Sequence, residues 1–429
     1  MTRWPDPILR VALWAYEGLW LILIPLVWLY LRKRARRDPL YAQHISERFG
    51  HTQTPLTGAI WVHAVSLGEM RSATPLIRAL LTRGDRVITT HFTPAGRREA
   101  TREFHAEIAA GQMQTLWVPF ETRGAYRRFL TTFKPRLGLV MEIEVWPMMI
   151  KMARASGTPL YMCNAQYPVK SYLKDKRGLG LRARLFAGFA GGFVKSRDQQ
   201  TRLAAAGLQN IHVTGELRFD QPIPTQHLTA ASAVRPKLSQ TREVITLTSV
   251  VEGEDDTYIA LIKSAPDPLY IYVPRAPERF DEVAEMLTAA GLKIARRSDI
   301  LDANLALRAP VDCDVVLGDS MGEMYFYLGL CDRAIVGGGF VPKGAHNIIE
   351  PLALRKPVIV GPHIWTITYP VVEAMAAGVC TMTPTATALH AAVTDPAPIT
   401  DAQISQFYTE HAGGVARTLA ALDRLHPRP

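Results

Sequence analysis

Apolar residues fill the stretch from Val11 to Leu31, broken only by Glu17, Gly18 and Pro25, and the stretch ends on Arg32, Lys33, Arg34, Arg36 and Arg37. About twenty apolar residues match the hydrocarbon core of a bilayer when helical. A basic block on the C-terminal side assigns the chain beyond Leu31 to the cytoplasm. Residues 1–37 therefore read as a membrane anchor with a basic flank, single-pass or monotopic, holding a cytoplasmic body against the inner face of a membrane. A cleaved leader would end in small residues, and here Arg and Lys stand instead. A buried core helix is the competing reading, because Glu17 and Pro25 sit inside the run. Glu17 lies toward the outer part of the run, within reach of the interface.

After a polar connecting stretch up to Gly50, the texture changes to short apolar runs separated by amphipathic segments. The runs are AIWVHAVS, RVITTHF, TLWVPF, RLGLVMEIE, LYMCNA and GGFVKS; RSATPLIRALLTRG and GAYRRFLTTFKP between them carry a helical period. Strand alternating with helix predicts a doubly wound parallel sheet. The strands lack polar alternation, as expected when helices cover both faces. The proline-bearing segment 221–240 shows no strand signal and reads as a linker. Alternation then resumes with REVITLTS, PLYIYVP, LKIARR, VDCDVVLGD, RAIVGGG, KPVIVGP and GVCTMT, and the tail after Thr400 is helical. The pattern predicts two Rossmann-like domains, 38–220 and 241–429 with a C-terminal helix, facing each other across a cleft. That is the α/β architecture called GT-B.

Composition narrows the classes. The 429 residues are 48% hydrophobic, enough for two or three domains with full cores. A net charge of +10, about half of it in the block after the apolar run, suits anionic lipid or phosphorylated substrates. No nucleic-acid module is recognisable. Cys163, Cys313, Cys331 and Cys380 are widely spaced with no CxxC pair, which fits a reducing compartment and small buried side chains.

Several segments carry candidate chemistry at predicted strand ends, where parallel sheets bind ligands. In WVHAVSLGEMRSATPLI, a strand ending near Val65 and a turn at Ser66 to Gly68 place Glu69 in the first turn of a helix, whose dipole favours the carboxylate. Such a carboxylate suits general-base work on a sugar hydroxyl, or is simply a favourable first-turn acid. In LVMEIEVWPMM, Glu142 and Glu144 close an apolar strand, and alternation across Ile143 aims both at one face; buried acids there are functional or ion-paired, one of them with an arginine. HVTGELRFD sets Gly215, Glu216 and Arg218 at another strand end. Arg218 is either a stabiliser of negative charge or a solvated loop residue.

In the second half, Pro274 and Arg275 follow a strand, with Arg279 beyond; arginine's fork suits a phosphate. The loop GDSMGE, with Met321, Gly322 and Glu323, offers amides to a nucleotide. In AIVGGGFVPKGAHNIIEPLALRKPVIVGP, Gly337 to Gly339 end a strand and permit close backbone approach to a ligand. A helix beginning near Asn347 offers amides to a phosphate, and Glu350 is placed for ribose hydroxyls. A flexible glycine loop is the plainer alternative. Asp312 and Asp314 precede a buried strand and read as solvated, with no required metal; EGEDD at 252–256 reads as a helix-start acid cluster. Lys170, Lys174, Lys176, Arg177, Arg182 and Arg184 meet either acceptor phosphates and headgroups or only solvent.

Taken in order, RARRDPLYAQHISERFG, WVHAVSLGE, MEIEVWP, TGELRFD, VPRAPERF, LGDSMGE and GGGFVPKGAHNIIEP with KPVIVGPH resemble the 3-deoxy-D-manno-octulosonic acid (Kdo) transferases of lipid A biosynthesis. The resemblance covers nearly the whole chain. It implies a GT-B fold, an inner-membrane location, CMP-Kdo as donor and a lipid A precursor (lipid IVA) as acceptor; the residues themselves lead to the expectation of no cofactor and no metal. It also implies Glu69 as catalytic base, Glu142 and Arg218 as supports of the transition state, and CMP contacts from Pro274, Arg275, Met321, Gly322, Glu323, Asn347, Ile348, Ile349 and Glu350. The chain departs from the family's usual pattern at Ala276, where histidine is usual, at Arg218, where lysine is usual, and in NAQYP (Asn164 to Pro168), where the family has a segment resembling NARLS. A GT-B transferase for another nucleotide sugar, and a non-catalytic membrane-bound lipid-A-binding paralogue, are the rival expectations.

Overall fold

The computed structural model describes residues 4–52, 54–176 and 179–427. The chain forms two compact units, residues 1–221 with 412–429, and residues 222–411. Each is built on a seven-stranded sheet in which every strand pair among the described residues is parallel.

The first sheet contains β1 (Ile60–His63), β2 (Val87–His91), β3 (Met113–Trp117), β4 (Leu137–Met141), β5 (Leu160–Ala165), β6 (Gly191–Val194) and β7 (Ile211–Val213), ordered β3-β2-β1-β4-β5-β6-β7. The order reverses between β1 and β4, and the crevice beyond the carboxyl ends at such a reversal is where open α/β sheets bind ligands. Successive residues of each strand feed opposite cores. Trp61, Ile88 and Val140 join one cluster, while Ile60, Val62, Leu139 and Met141 join the other. That is why the strands read as unbroken apolar runs.

The second sheet contains β8 (Val244–Val250), β9 (Leu269–Pro274), β10 (Ile294–Arg296), β11 (Val315–Leu317), β12 (Arg333–Val336), β13 (Val358–Val360) and β14 (Cys380–Met382), ordered β10-β11-β9-β8-β12-β13-β14. Its reversal lies between β8 and β12. Both sheets bear out the two Rossmann-like domains expected from the alternation.

Two expectations about domain limits fail. The segment 221–240, read as a linker, contains the helix Thr225–Ser239, which buries Ala231, Val234 and Leu238 in a core of the second unit. Its prolines misled: Pro224 stands just before the helix, and Pro236 sits near its end. The C-terminal helix, Gly414–Leu425, belongs with the first unit rather than the second. Its Ala421 and Leu422 pack with Leu76, Leu80 and Leu217. The Asp220 carboxylate accepts from the Gly413 and Val415 amides, both at 2.6 Å, and fixes the start of that helix.

The N-terminal apolar run is a single helix, Pro7–Ala35, with Asp6 accepting from the Leu9 amide as N-cap. It is long and apolar enough to cross a membrane, and only 6% of its most apolar 18-residue window is buried. A core helix would be buried, so that reading is set aside. Glu17 pairs with Arg123 at 3.1 Å and lies 3.9 Å from Lys151.

Candidate active site

In the first unit the chemistry gathers at the carboxyl ends of β1, β4, β5 and β6. Ser66 caps the helix Leu67–Thr82, and Glu69 at the third helical position closes a capping box. One Glu69 carboxylate oxygen accepts from the Val65 amide at 2.5 Å and the Ser66 amide at 3.2 Å. Half-burial nevertheless pushes the Glu69 carboxyl up to about 8, with the charge of Glu144 adding to it, the two amides opposing it and Glu142 adding a smaller push. Glu69 thus binds its proton more tightly than an ordinary carboxylate and lies near two other acids, Glu142 and Glu144.

Glu142 follows directly on β4 but adopts a left-handed conformation, φ 56°. The strand's alternation stops there, so Glu142 and Glu144 do not share a face through pleating. The Glu142 carboxylate accepts from both Lys195 Nζ, at 2.9 Å to each oxygen, and Asn164 Nδ2 at 3.0 Å. Its expected arginine partner is thus a lysine. Glu144 accepts from the Trp146 indole at 2.5 Å.

Lys195 is 3% exposed and also reaches the Glu216 carboxylate at 2.8 Å. Asn164, another left-handed residue at φ 52°, donates to Glu216 at 2.7 Å and accepts from the Leu217 amide at 3.0 Å. Burial alone would raise the Glu216 carboxyl, but the charges of Lys195 and Arg218 outweigh it and hold it well below the usual carboxylate range. Arg218, half-buried in the short 3₁₀ turn Leu217–Asp220, donates to Ser72 Oγ at 2.7 Å. Ser72 stands one turn below Glu69 on the same helix. The structure thus gathers Glu69, Glu142, Glu144, Glu216 and Arg218 at one end of one sheet.

Lys195 and the role of Asn164 were not anticipated. The signal for Lys195 was present: GGFVK ends a buried strand in a cation, which only a pair of acids can offset.

In the second unit the residues meet at the carboxyl ends of β8, β9, β11 and β12. Arg275 follows β9 and is exposed, its amide donating to the Val250 carbonyl at 2.8 Å. Arg279 turns away and pairs with buried Asp255 at 2.9 Å, so it is structural. Met321 and Gly322 are exposed on the loop after β11, with Gly322 left-handed at φ 87°. Glu323 is held bidentate by Arg297, both contacts at 2.7 Å. The Asn347 side chain accepts from the Ile349 amide at 2.9 Å, and the short helix Ile349–Ala353 follows. Ile348 and Ile349 are 1% and 3% exposed, so neither side chain reaches the surface. Glu350 is half-buried in the first turn. His346 lies in the same loop, lowered to about 4 by burial, with the nearby Arg275 charge adding to the effect.

The glycine run is used differently from what was expected. A Cβ on Gly337 would meet Ser249 O at 2.7 Å, one on Gly338 would meet Gly344 O at 2.4 Å, and one on Gly339 would meet Gly361 N at 3.0 Å. The glycines let protein backbone approach protein backbone. The Gly337 amide donates to the Thr248 carbonyl at 2.8 Å, and the carboxylate of Glu254, fully buried, accepts from the Gly338, Phe340 and Val251 amides at 2.8, 3.0 and 3.1 Å. Glu254 is thus the peg of the loop as well as the residue at the N-cap of the helix Asp255–Ser264, whose first turn holds Asp255 and Asp256 as expected of a helix-start acid cluster.

Asp312 pairs with Lys293 at 3.2 Å in solvent, and Asp314 accepts from the Lys293 amide at 2.8 Å, as surface residues. Among the described residues no cluster of His, Cys, Asp and Glu could hold a metal. Of the basic stretch 170–184, Lys170, Lys174 and Lys176 are exposed, while Arg182 pairs with Asp175 at 3.5 Å and Arg184 with Asp6 at 2.7 Å. Arg177 lies outside the described residues.

Residues 43–221 match the family model of 3-deoxy-D-manno-octulosonic-acid transferase (kdotransferase). A 3-deoxy-D-manno-octulosonic acid transferase from Bordetella pertussis is 41% identical, over 94% of this chain and 96% of its own length. A protein of the same name from Haemophilus influenzae is 31% identical, over 88% of this chain and 89% of its own. Among solved structures, a glycosyltransferase from Rickettsia africae superposes with a TM-score of 0.56 at 12% identity, over 87% of this chain and all of that one, a likeness of fold alone. With its two parallel α/β units in the GT-B arrangement of elements and relatives matched almost end to end, the chain is a glycosyltransferase belonging to the Kdo transferase family.

Proposed function

We propose that this enzyme moves Kdo from CMP-Kdo to a hydroxyl of a lipid A precursor, lipid IVA, at the cytoplasmic face of the inner membrane, with inversion at the anomeric carbon. Glu69, ionised, takes the proton of the acceptor hydroxyl. That oxygen attacks the anomeric carbon, the bond to the cytidylate oxygen breaks, and CMP leaves with the electron pair. A single base and one displacement give inversion. The observation that carries the reading is Glu69 itself, a carboxylate at the reversal of the first sheet whose affinity for protons is raised toward neutrality.

Glu142, fixed by Lys195 and Asn164, supports it in two ways. Its negative charge raises Glu69, and its left-handed backbone breaks β4 where an acceptor hydroxyl needs room. Arg218 contributes positive charge from the 3₁₀ turn Leu217–Asp220, through its contact with Ser72 one turn from Glu69. On the second unit Pro274 and Arg275, the loop Met321 to Glu323, and the segment Asn347, Ile348, Ile349 and Glu350 hold CMP-Kdo. Arg275 balances the phosphate charge that grows on departure, usually the largest catalytic contribution of this kind. The exposed Lys170, Lys174 and Lys176 suit the acceptor's phosphates.

Purified protein incubated with CMP-Kdo and tetraacylated lipid A precursor, read by mass spectrometry, should show the acceptor gaining one or more Kdo units. No gain with CMP-Kdo, or equal turnover with a UDP-sugar, refutes the assignment.

A further inference from the structure

The apolar helix Pro7–Ala35 is tied to the first unit at its beginning, middle and end. At the start, Trp4 Nε1 donates to the Arg184 carbonyl at 3.0 Å, Asp6 pairs with Arg184 at 2.7 Å, and Leu9 and Leu13 enter a core cluster. Midway, Glu17 meets Arg123 and Lys151. At the far end Leu31 is buried against Tyr41 and Phe120. A 29-residue helix is about 43 Å long at 1.5 Å per residue, so its axis runs along the body rather than away from it. Standing it upright in a bilayer would carry Arg123, Lys151 and Arg184 into hydrocarbon.

The outward side is apolar along the same length: Val11 is 71% exposed, Trp14 69%, Ile22 73%, Leu26 60% and Leu29 55%. Leu179, 63% exposed, adjoins this stripe through a shallow apolar hollow shared with Pro7, Ile8, Val11 and Ala12. Beyond it the helix Val169–Asp175 exposes Val169 and Leu173 beside Lys170 and Lys174. Basic residues also rim the stripe itself, with Arg10 near its start and Arg32 to Arg37 at its end. Apolar side chains bordered by Lys and Arg fit an anionic lipid surface.

We infer that this helix does not cross the membrane but lies flat in one leaflet, clamped between the first unit and the lipid, with Val169, Leu173 and Leu179 as a second point of insertion. This rests on the membrane location proposed above and specifies its geometry. The N-terminus and the catalytic body then lie on the same side of the membrane.

Val11, Ile22 and Leu29 share one outward face, because steps of 11 and 18 residues at 3.6 per turn return to within about 20°. All four native cysteines are buried, so single nitroxide labels at V11C, I22C and L29C are selective. In phosphatidylethanolamine–phosphatidylglycerol vesicles, power saturation with oxygen and a nickel chelate should place the three labels at one shallow depth. Depths that change steadily by about 27 Å from Val11 to Leu29 overturn the flat geometry while leaving the membrane location standing. Labels in water with no protein on the vesicles, or shielded by a second copy of the chain, overturn the inference too. Kdo transfer to detergent-dispersed acceptor then decides separately whether the proposed activity survives.

Discussion

Replacing Glu69 by Gln separates what its carboxylate costs from what it does. The Gln oxygen can still accept from the Val65 and Ser66 amides, so the capping geometry is retained. What disappears is a charge that burial, Glu144 and Glu142 make unwelcome. The folded carboxyl is raised from 4.5 to about 8, so between those values the folded state binds more protons than the unfolded one. Stability of the native enzyme therefore falls as pH rises through that window, and the loss is complete above the folded value. At about 1.4 kcal/mol per pH unit the full interval amounts to about 5 kcal/mol, and residual solvent contact cuts this to about 2–3 kcal/mol. Urea denaturation at pH 5 and pH 9 measures it: the variant should match the native protein at pH 5 and exceed it by that margin at pH 9. The same substitution removes the base, so kcat/KM should drop 10²–10⁴-fold. In the native enzyme kcat/KM should climb about tenfold per pH unit and level off near 8. A variant with native rates, or a native profile flat from pH 6 to 9, refutes both the raised carboxyl and its role.

Three further outcomes are expected. Lys195→Met leaves Glu142 and Glu216 facing each other without their cation, and should lower unfolding free energy by about 3–5 kcal/mol in urea titrations at neutral pH. Arg275→Ala removes an exposed side chain, so Tm should barely move while KM for CMP-Kdo rises tenfold or more. Gly361→Ala forces a Cβ to within 2.3 Å of the Gly339 backbone, and should cost about 1–3 kcal/mol and weaken CMP binding by calorimetry, because the same loops carry Asn347.

The alternation of apolar runs with helical periods was enough to read both sheets, because strands buried on two faces leave no polar interruptions. The ends of those strands were equally legible: a carboxylate or cation that breaks an apolar run, as at Glu142 or Lys195, is expensive unless it has a partner or a task. Which partner was not legible, since Glu142, Lys195 and Glu216 come from three different strand ends and meet only in the folded sheet. The triple glycine misled for a related reason. Glycine marks close approach without saying of what, and here the approaching atoms belong to Ser249, Gly344 and Gly361. The helix at 225–239 was hidden by prolines that lie at its margins, and the docking of Gly414–Leu425 on the first unit by separation along the chain.

The docking of Gly414–Leu425 also bears on synthesis. The first unit is discontinuous: its final helix, with Thr418, Ala421 and Leu422 buried, is translated after the whole of the second unit. Emerging from the ribosome, the first half must wait with Leu76, Leu80 and Leu217 incompletely covered while some two hundred further residues are made. A nonsense codon just ahead of Gly414 would therefore injure the half of the enzyme that was made earliest.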